Sequence, residues 1–140
     1  MRELRVKLLD KRASIPTRAH SSDAGLDIKC LDNFILLPKI PTKISTGLAF
    51  EIDSGFVGLV SDRSSMGSKG VTVLGGVIDA GYIGEVSVVL LNLANLPIKL
   101  EAGSKIAQML ILPISTPVAV SVDDLKGSSR GSGGFGSTGV

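Results

Sequence analysis

The chain has 140 residues, 44% of them hydrophobic, with a formal net charge of +2, one cysteine and one histidine. That length suits one domain with its own core, and the hydrophobic share lies above the disordered range. The small charge argues against nucleic acid or an anionic membrane as partner, no run is long enough to cross a bilayer, and a lone Cys30 beside a lone His20 excludes an internal disulfide and a Cys/His zinc site.

The elements read as strands. Leu4, Val6 and Leu8 alternate with Arg5 and Lys7, and the opening MRELRVKLLD lacks the apolar stretch of a signal peptide. Next comes SSDAGLDIK, where Asp23 and Asp27 flank a small turn. Two such acids suit a hard cation, directly or through water, or are ordinary turn and strand-edge acids. Phe34–Leu37 is a short apolar run. In KISTGLAFEI, Ile44, Thr46, Leu48, Phe50 and Ile52 share one face of a ten-residue alternation. Val57–Val60 follows, and then DRSSMGSKG, with the one helical turn expected, near Ser64–Ser68. Arg63, the Ser64 and Ser65 hydroxyls and the amides of a helical turn are groups that bind phosphate oxygens. The same stretch also fits a polar helical loop with a good N-cap.

Val71–Leu74 leads into GGVIDAGYIGE, which reads as a hairpin. Asp79 there is a turn former or a general base, and Tyr82 a packing residue or part of a site. Val86–Leu91 is almost continuously apolar. It is either a central strand covered on both faces or one with a face in its own core and a face in a subunit interface. Pro97–Leu100, Lys105–Leu112 and Val118–Val122 complete the strands; Gln108 is the polar exception in its run and alone reads as a solvent-facing residue. Many short strands between prolines and glycines predict an all-β antiparallel barrel or jelly-roll sandwich with at most one short helix.

Residues 1–126 form the expected β domain, and 127–140 a flexible glycine-rich C-terminal arm with too little apolar surface to fold by itself. Gly131, Gly133 and Gly136 match G-x-G-x-x-G, but no strand–helix context surrounds them. Arg130 is a bidentate phosphate donor, Gly136 lets backbone approach a ligand, Ser137 and Thr138 add hydroxyls, and Phe135 could stack on a base.

These stretches occur together and in order. DAGLDI, RSSMGSKG, GGVIDAGYIGEV, GSKIAQMLI and RGSGGFGSTG resemble the five motifs of the trimeric dUTPase family, from about Leu4 to the last residue. The resemblance implies Mg²⁺-dependent hydrolysis of dUTP to dUMP and pyrophosphate, limiting uracil in DNA and supplying dUMP for dTMP synthesis. It also implies a homotrimer with shared active sites, in the cytoplasm, or in the host cell or virion if viral. It assigns Asp79 to activation of the attacking water and Asp27 to the neighbourhood of Mg²⁺, through water. Arg63, Ser64, Ser65, Gly67 and Gln108 would bind the α- and β-phosphates. The main chain of Val73, Leu74, Gly75 and Gly76 would read uracil, and Tyr82 would pack under the deoxyribose. The arm becomes a lid: Arg130, Ser137 and Thr138 clamp the γ-phosphate, with Gly136 beside them, and Phe135 stacks on the base.

Three departures stand out. Asp62 replaces the proline common before the motif 2 arginine, and is expected to point away from the ligand or pair with a cation. Gly81 stands where a second acid is frequent. Ser104-Lys105 replaces a common Asp-Arg. The related dCTP deaminases need a glutamate on the strand after the hairpin, where this chain has Val89 between Val88 and Leu90. A binding protein without catalysis, such as a viral structural part or a nucleotide-sensing regulator, would not need Asp79.

Overall fold

The computed structural model describes residues 3–128 and 131–132. Among the described residues are eleven strands and one short helix: β1 (Arg5–Leu8), β2 (Leu26–Lys29), β3 (Phe34–Leu36), β4 (Thr42–Ile44), β5 (Leu48–Glu51), β6 (Phe56–Ser61), α1 (Ser64–Gly67), β7 (Val71–Leu74), β8 (Val77–Ile78), β9 (Val88–Asn92), β10 (Ile98–Leu100) and β11 (Lys105–Pro113). They form four antiparallel sheets, ordered β1-β5, β10-β3, β2-β11-β6-β8 and β4-β9-β7. The expected all-β class with a single helical turn is what the chain adopts.

Alternation sets the core. Ile44, Thr46, Leu48, Phe50 and Ile52 are all buried, as their shared face predicts. They do not lie on one strand, however. Gly47 takes φ 65°, a left-handed conformation open chiefly to glycine. The chain therefore breaks there into β4 and β5, which join different sheets. The long strand β11 is central to the four-stranded sheet. Its register against β2 shifts between Lys105 and Ala107, and such a bulge lets neighbours share one face; Ile106 and Ala107 are both fully buried.

Two further expectations change, and a third is narrowed to one of its alternatives. Val118–Val122 is not a strand: residues 114–128 form no ladder and Val118, Val120 and Val122 are exposed. The alternation is there, but the segment pairs with no strand among the described residues. The GGVIDAGYIGE stretch is not a paired hairpin. β7 pairs with β9 and β8 with β6, so the chain switches sheets at Gly75-Gly76 and again between β8 and β9. Finally, Val86–Leu91 is not covered on both faces within the chain. Val86, Val88 and Leu90 are buried, whereas Ser87, Val89 and Leu91 are only half-buried.

Candidate active site

Register places the first group of polar residues. Gln108 on β11 stands opposite Asp27 on β2 and opposite Ser61 on β6. The Asp27 and Gln108 side chains thereby line one cleft of about 480 Å³, with Asp23, Gly25, Arg63, Ser64 and Ser65. Arg63 is the extended residue that precedes α1, and its side chain makes no capping bond. The good N-cap considered for this loop is therefore not formed. The guanidinium turns to the sheet instead: Nε donates to Asp27 Oδ1 at 2.9 Å, and Nη1 reaches Ser65 Oγ and the Lys105 carbonyl, both at 3.3 Å. Lys105 Nζ lies 2.6 Å from Asp27 Oδ2. Lysine thus supplies a point charge where arginine is common, without a fork of donors.

Asp27 is the electrostatic centre of this cleft. Burial pushes its carboxyl up, but the bond to Lys105 and the charges of Arg63 and Lys105 outweigh that and hold it below the ordinary carboxylate range. It is ionised with two cations attached. Gln108 is not the solvent-facing residue its sequence context predicts; it is half-buried, and its Nε2 donates to the Asp62 carbonyl at 2.8 Å.

The Asp62 carboxylate does turn from the cleft, and it pairs with no cation among the described residues. Oδ1 accepts from the Val73 amide at 2.6 Å and Oδ2 from the Thr72 hydroxyl at 3.0 Å. It therefore ties the loop before α1 to β7. Sequence reasoning missed these links because they cross from the loop before α1 to the strand after it, which no local pattern specifies.

Asp79 and Tyr82 lie elsewhere. They line a second cleft of about 270 Å³ with Lys43, Ile78, Glu85 and Ser87, and no residue lines both clefts. The Tyr82 hydroxyl donates to the Glu85 carbonyl at 2.9 Å, so the ring folds back over Gly84 while 47% of the residue stays exposed. Glu85 Oε1 accepts from the Ser45 hydroxyl, from the Thr46 amide at 3.1 Å and from the Gly47 amide at 2.8 Å. The sheet-switching corner Val73–Gly76 leads into this second group. The Val60 amide donates to the Gly76 carbonyl at 2.7 Å. A side chain at position 76 would meet Val60 O at 2.1 Å, so only glycine fits. Gly67 sits at the end of α1 and does not line the phosphate-type cleft. Arg130, Phe135, Gly136, Ser137 and Thr138 lie outside the described residues.

A cleft with one fixed guanidinium, serine hydroxyls and an amide, together with a separate surface bearing an acid and a tyrosine, has the makings of a nucleotide-binding hydrolase. Among the described residues no three His, Cys, Asp or Glu side chains converge to cage a metal ion. The donor set fits a cation carried by a polyphosphate and reached through water: both Asp27 oxygens have protein partners yet keep spare acceptor capacity.

Comparison with known proteins gives the family. The dUTPase family profile matches residues 11–139. A deoxyuridine 5'-triphosphate nucleotidohydrolase of Clostridium kluyveri is 40% identical over 141 residues, covering 99% of each chain. The dUTPase of Staphylococcus bacteriophage 80alpha, solved with dUpNHpp, superposes with a TM-score of 0.92 at 35% identity, covering all of both chains. A mutant dUTPase of phage phi11 of S. aureus, whose structure details coordination of a structural Mg(II) ion, gives a TM-score of 0.83 at 30% identity, with 89% of this chain and 99% of that one covered. The chain belongs to the dUTPase family. The deaminase alternative has no support at β9, where Val89 occupies the position that would need a carboxylate.

Proposed function

We propose that the two clefts are halves of one active site, completed between subunits, which hydrolyses dUTP to dUMP and pyrophosphate. Family membership supports the enzyme class and the substrate. The observation that carries the shared site is the separation of the clefts: Arg63, Ser65 and Gln108 line one, Asp79 and Tyr82 the other. A homotrimer fits the half-covered face of β9 and the exposure of Val77 and Ile83 next to the second cleft. The body is residues 1–126, and residues 127–140 are the arm that brings Arg130, Phe135, Gly136, Ser137 and Thr138 to the nucleotide.

The chemistry follows from the residues. Asp79 takes a proton from water as its oxygen bonds to the α-phosphorus; the α-phosphorus–oxygen bond breaks, and the electron pair leaves with pyrophosphate. Arg63, Ser64, Ser65, Gly67 and Gln108 hold phosphate oxygens, so the attacking water and leaving group stay in line. The main chain of Val73, Leu74, Gly75 and Gly76 reads the uracil edge, and Tyr82 fills the space that a 2′-hydroxyl would need. Asp27 would hold a triphosphate-borne Mg²⁺ through water, and the ion would supply neutralisation of the charge on the phosphate oxygens. The enzyme works in the cytoplasm, or in the host cell or virion if the chain is viral. No helix among the described residues is long and apolar enough to cross a membrane.

Asp79→Asn tests the central assignment. It keeps the shape of the side chain and removes the base, so turnover of dUTP should fall by ~10²–10⁴, while binding of dUpNHpp by calorimetry changes little. Near-native turnover in this variant rejects Asp79 as the base.

A further inference from the structure

The corner between β7 and β8 has its two legs in different sheets. Val73 and Leu74 pair with Leu90 and Val89 of β9 on one side, and the end of β6 holds the corner on the other. One leg is held by the Val60 amide on the Gly76 carbonyl at 2.7 Å. Strand β6 ends at Ser61, and beyond it a side chain does what the backbone has done so far: Asp62 Oδ1 accepts from the Val73 amide at 2.6 Å, and Oδ2 from the Thr72 hydroxyl at 3.0 Å. The Asp62 carbonyl meanwhile accepts from Gln108 Nε2 at 2.8 Å. In an extended strand the amide and carbonyl of one residue point to the same edge. Fixing the Val73 amide therefore fixes the direction of the Val73 carbonyl and the path into Leu74 and Gly75.

We propose that Asp62 is a positioning residue for base recognition, its carboxylate holding the corner from Val73 to Gly76 in the geometry that reads uracil. The inference rests on the reading of that corner as the base-recognition element. A charge-assisted bond of 2.6 Å to a backbone amide is a strong tether. The proline common at this place in the family has no group that could make it. The Asp62 carboxylate is taken up by Thr72 and Val73, and it acts through Val73.

The test is steady-state kinetics of the full chain with dUTP and dCTP, alongside hydrogen exchange of the Val73 amide. Asp62→Ala and Asp62→Pro should lower the dUTP/dCTP ratio of kcat/KM by about tenfold, the worth of one such bond. The loss should appear mainly in KM for dUTP, with faster exchange at Val73. Asp62→Asn retains an acceptor for Val73 and should recover most of the ratio. Thr72→Val removes only the second partner and should change it less than about twofold, the bond lost being a weaker one. An unchanged ratio in Asp62→Pro, whose residue the fold accommodates elsewhere in the family, overturns the proposal. A ratio near unity in the wild-type chain removes the base-reading assignment itself, and the proposal with it. Faster Val73 exchange without any change of ratio makes Asp62 a structural tether only, and also overturns it.

Discussion

Tyr82 illustrates how little of a residue's role is decided by its own chemistry. Half of it remains exposed, as in an ordinary surface aromatic, yet its hydroxyl is fixed to the Glu85 carbonyl and its ring lies against Gly84. A fixed ring is a wall, and a wall can exclude a hydroxyl group. Tyr82→Ala should narrow the preference for dUTP over UTP in kcat/KM by ~10–100-fold, the range that packing against one small group supplies. Tyr82→Phe should keep most of it, because the ring remains. An Ala variant with the native ratio removes the steric role. Asp27 shows the opposite case. Sequence alone left it between a metal neighbour and a strand-edge acid; Lys105 and Arg63 on its two oxygens decide that it is ionised.

Among the elements, the turn between β4 and β5 depends on one carboxylate. Glu85 gathers the Ser45 hydroxyl and the amides of Thr46 and Gly47 onto a single oxygen. The Ser45 bond and then the Gly47 amide lower its carboxyl most, burial opposes them, and the Thr46 amide and Lys43 add to the lowering. Because the folded value lies below the unfolded one, this stabilisation is complete above the ordinary carboxylate range of about 4 and is lost as pH falls through the folded value. Glu85→Gln should cost ~1–2 kcal/mol at neutral pH, the weight of a charged acceptor exchanged for a neutral one. Its melting point should converge on that of the native chain as pH drops below about 4. A constant gap across that window shows that the Glu85 charge is not what holds the turn.

Legibility at this scale followed the range of the forces involved. The β7 span Val71–Leu74 and the turn at Ser64–Gly67 stand where local pattern puts them, and the first four motif stretches contain most of the residues of both clefts, Lys43 and Ser87 being exceptions. Pattern could not tell which strand a reversing chain would pair with. Glycines near Asp79 signal a turn, and a turn alone does not distinguish a hairpin from a switch between sheets. Val118–Val122 alternates well but pairs with no described strand, and the expectation for Asp62 did not include the Val73 and Thr72 donors that take up its carboxylate. Alternation and charge do not specify which partner the fold brings alongside.

For the whole molecule, the proposed reading of the two separate clefts makes the assembly, rather than the chain, the unit of activity. If each site takes its acid from one subunit and its phosphate-binding cleft from the next, a lesion in either half can be made good by a neighbour. Asp79→Asn and Arg63→Ala chains should each be nearly inactive alone. Mixed, unfolded and refolded together, they form rings in which an Arg63→Ala subunit lends its intact acid to an Asp79→Asn subunit with an intact cleft. In a ring of two chains and one, about one site in three is wholly native. Turnover should therefore return on mixing to a sizeable fraction of the native value, at a mass near three times 14.5 kDa by light scattering. Mixtures that stay as inactive as their components would mean that each chain carries a complete site. If the site is so divided, two defective copies in one cell can complement each other, whereas a copy defective in one half beside a sound one leaves about half of the sites native, and a copy defective in both halves leaves only about a quarter.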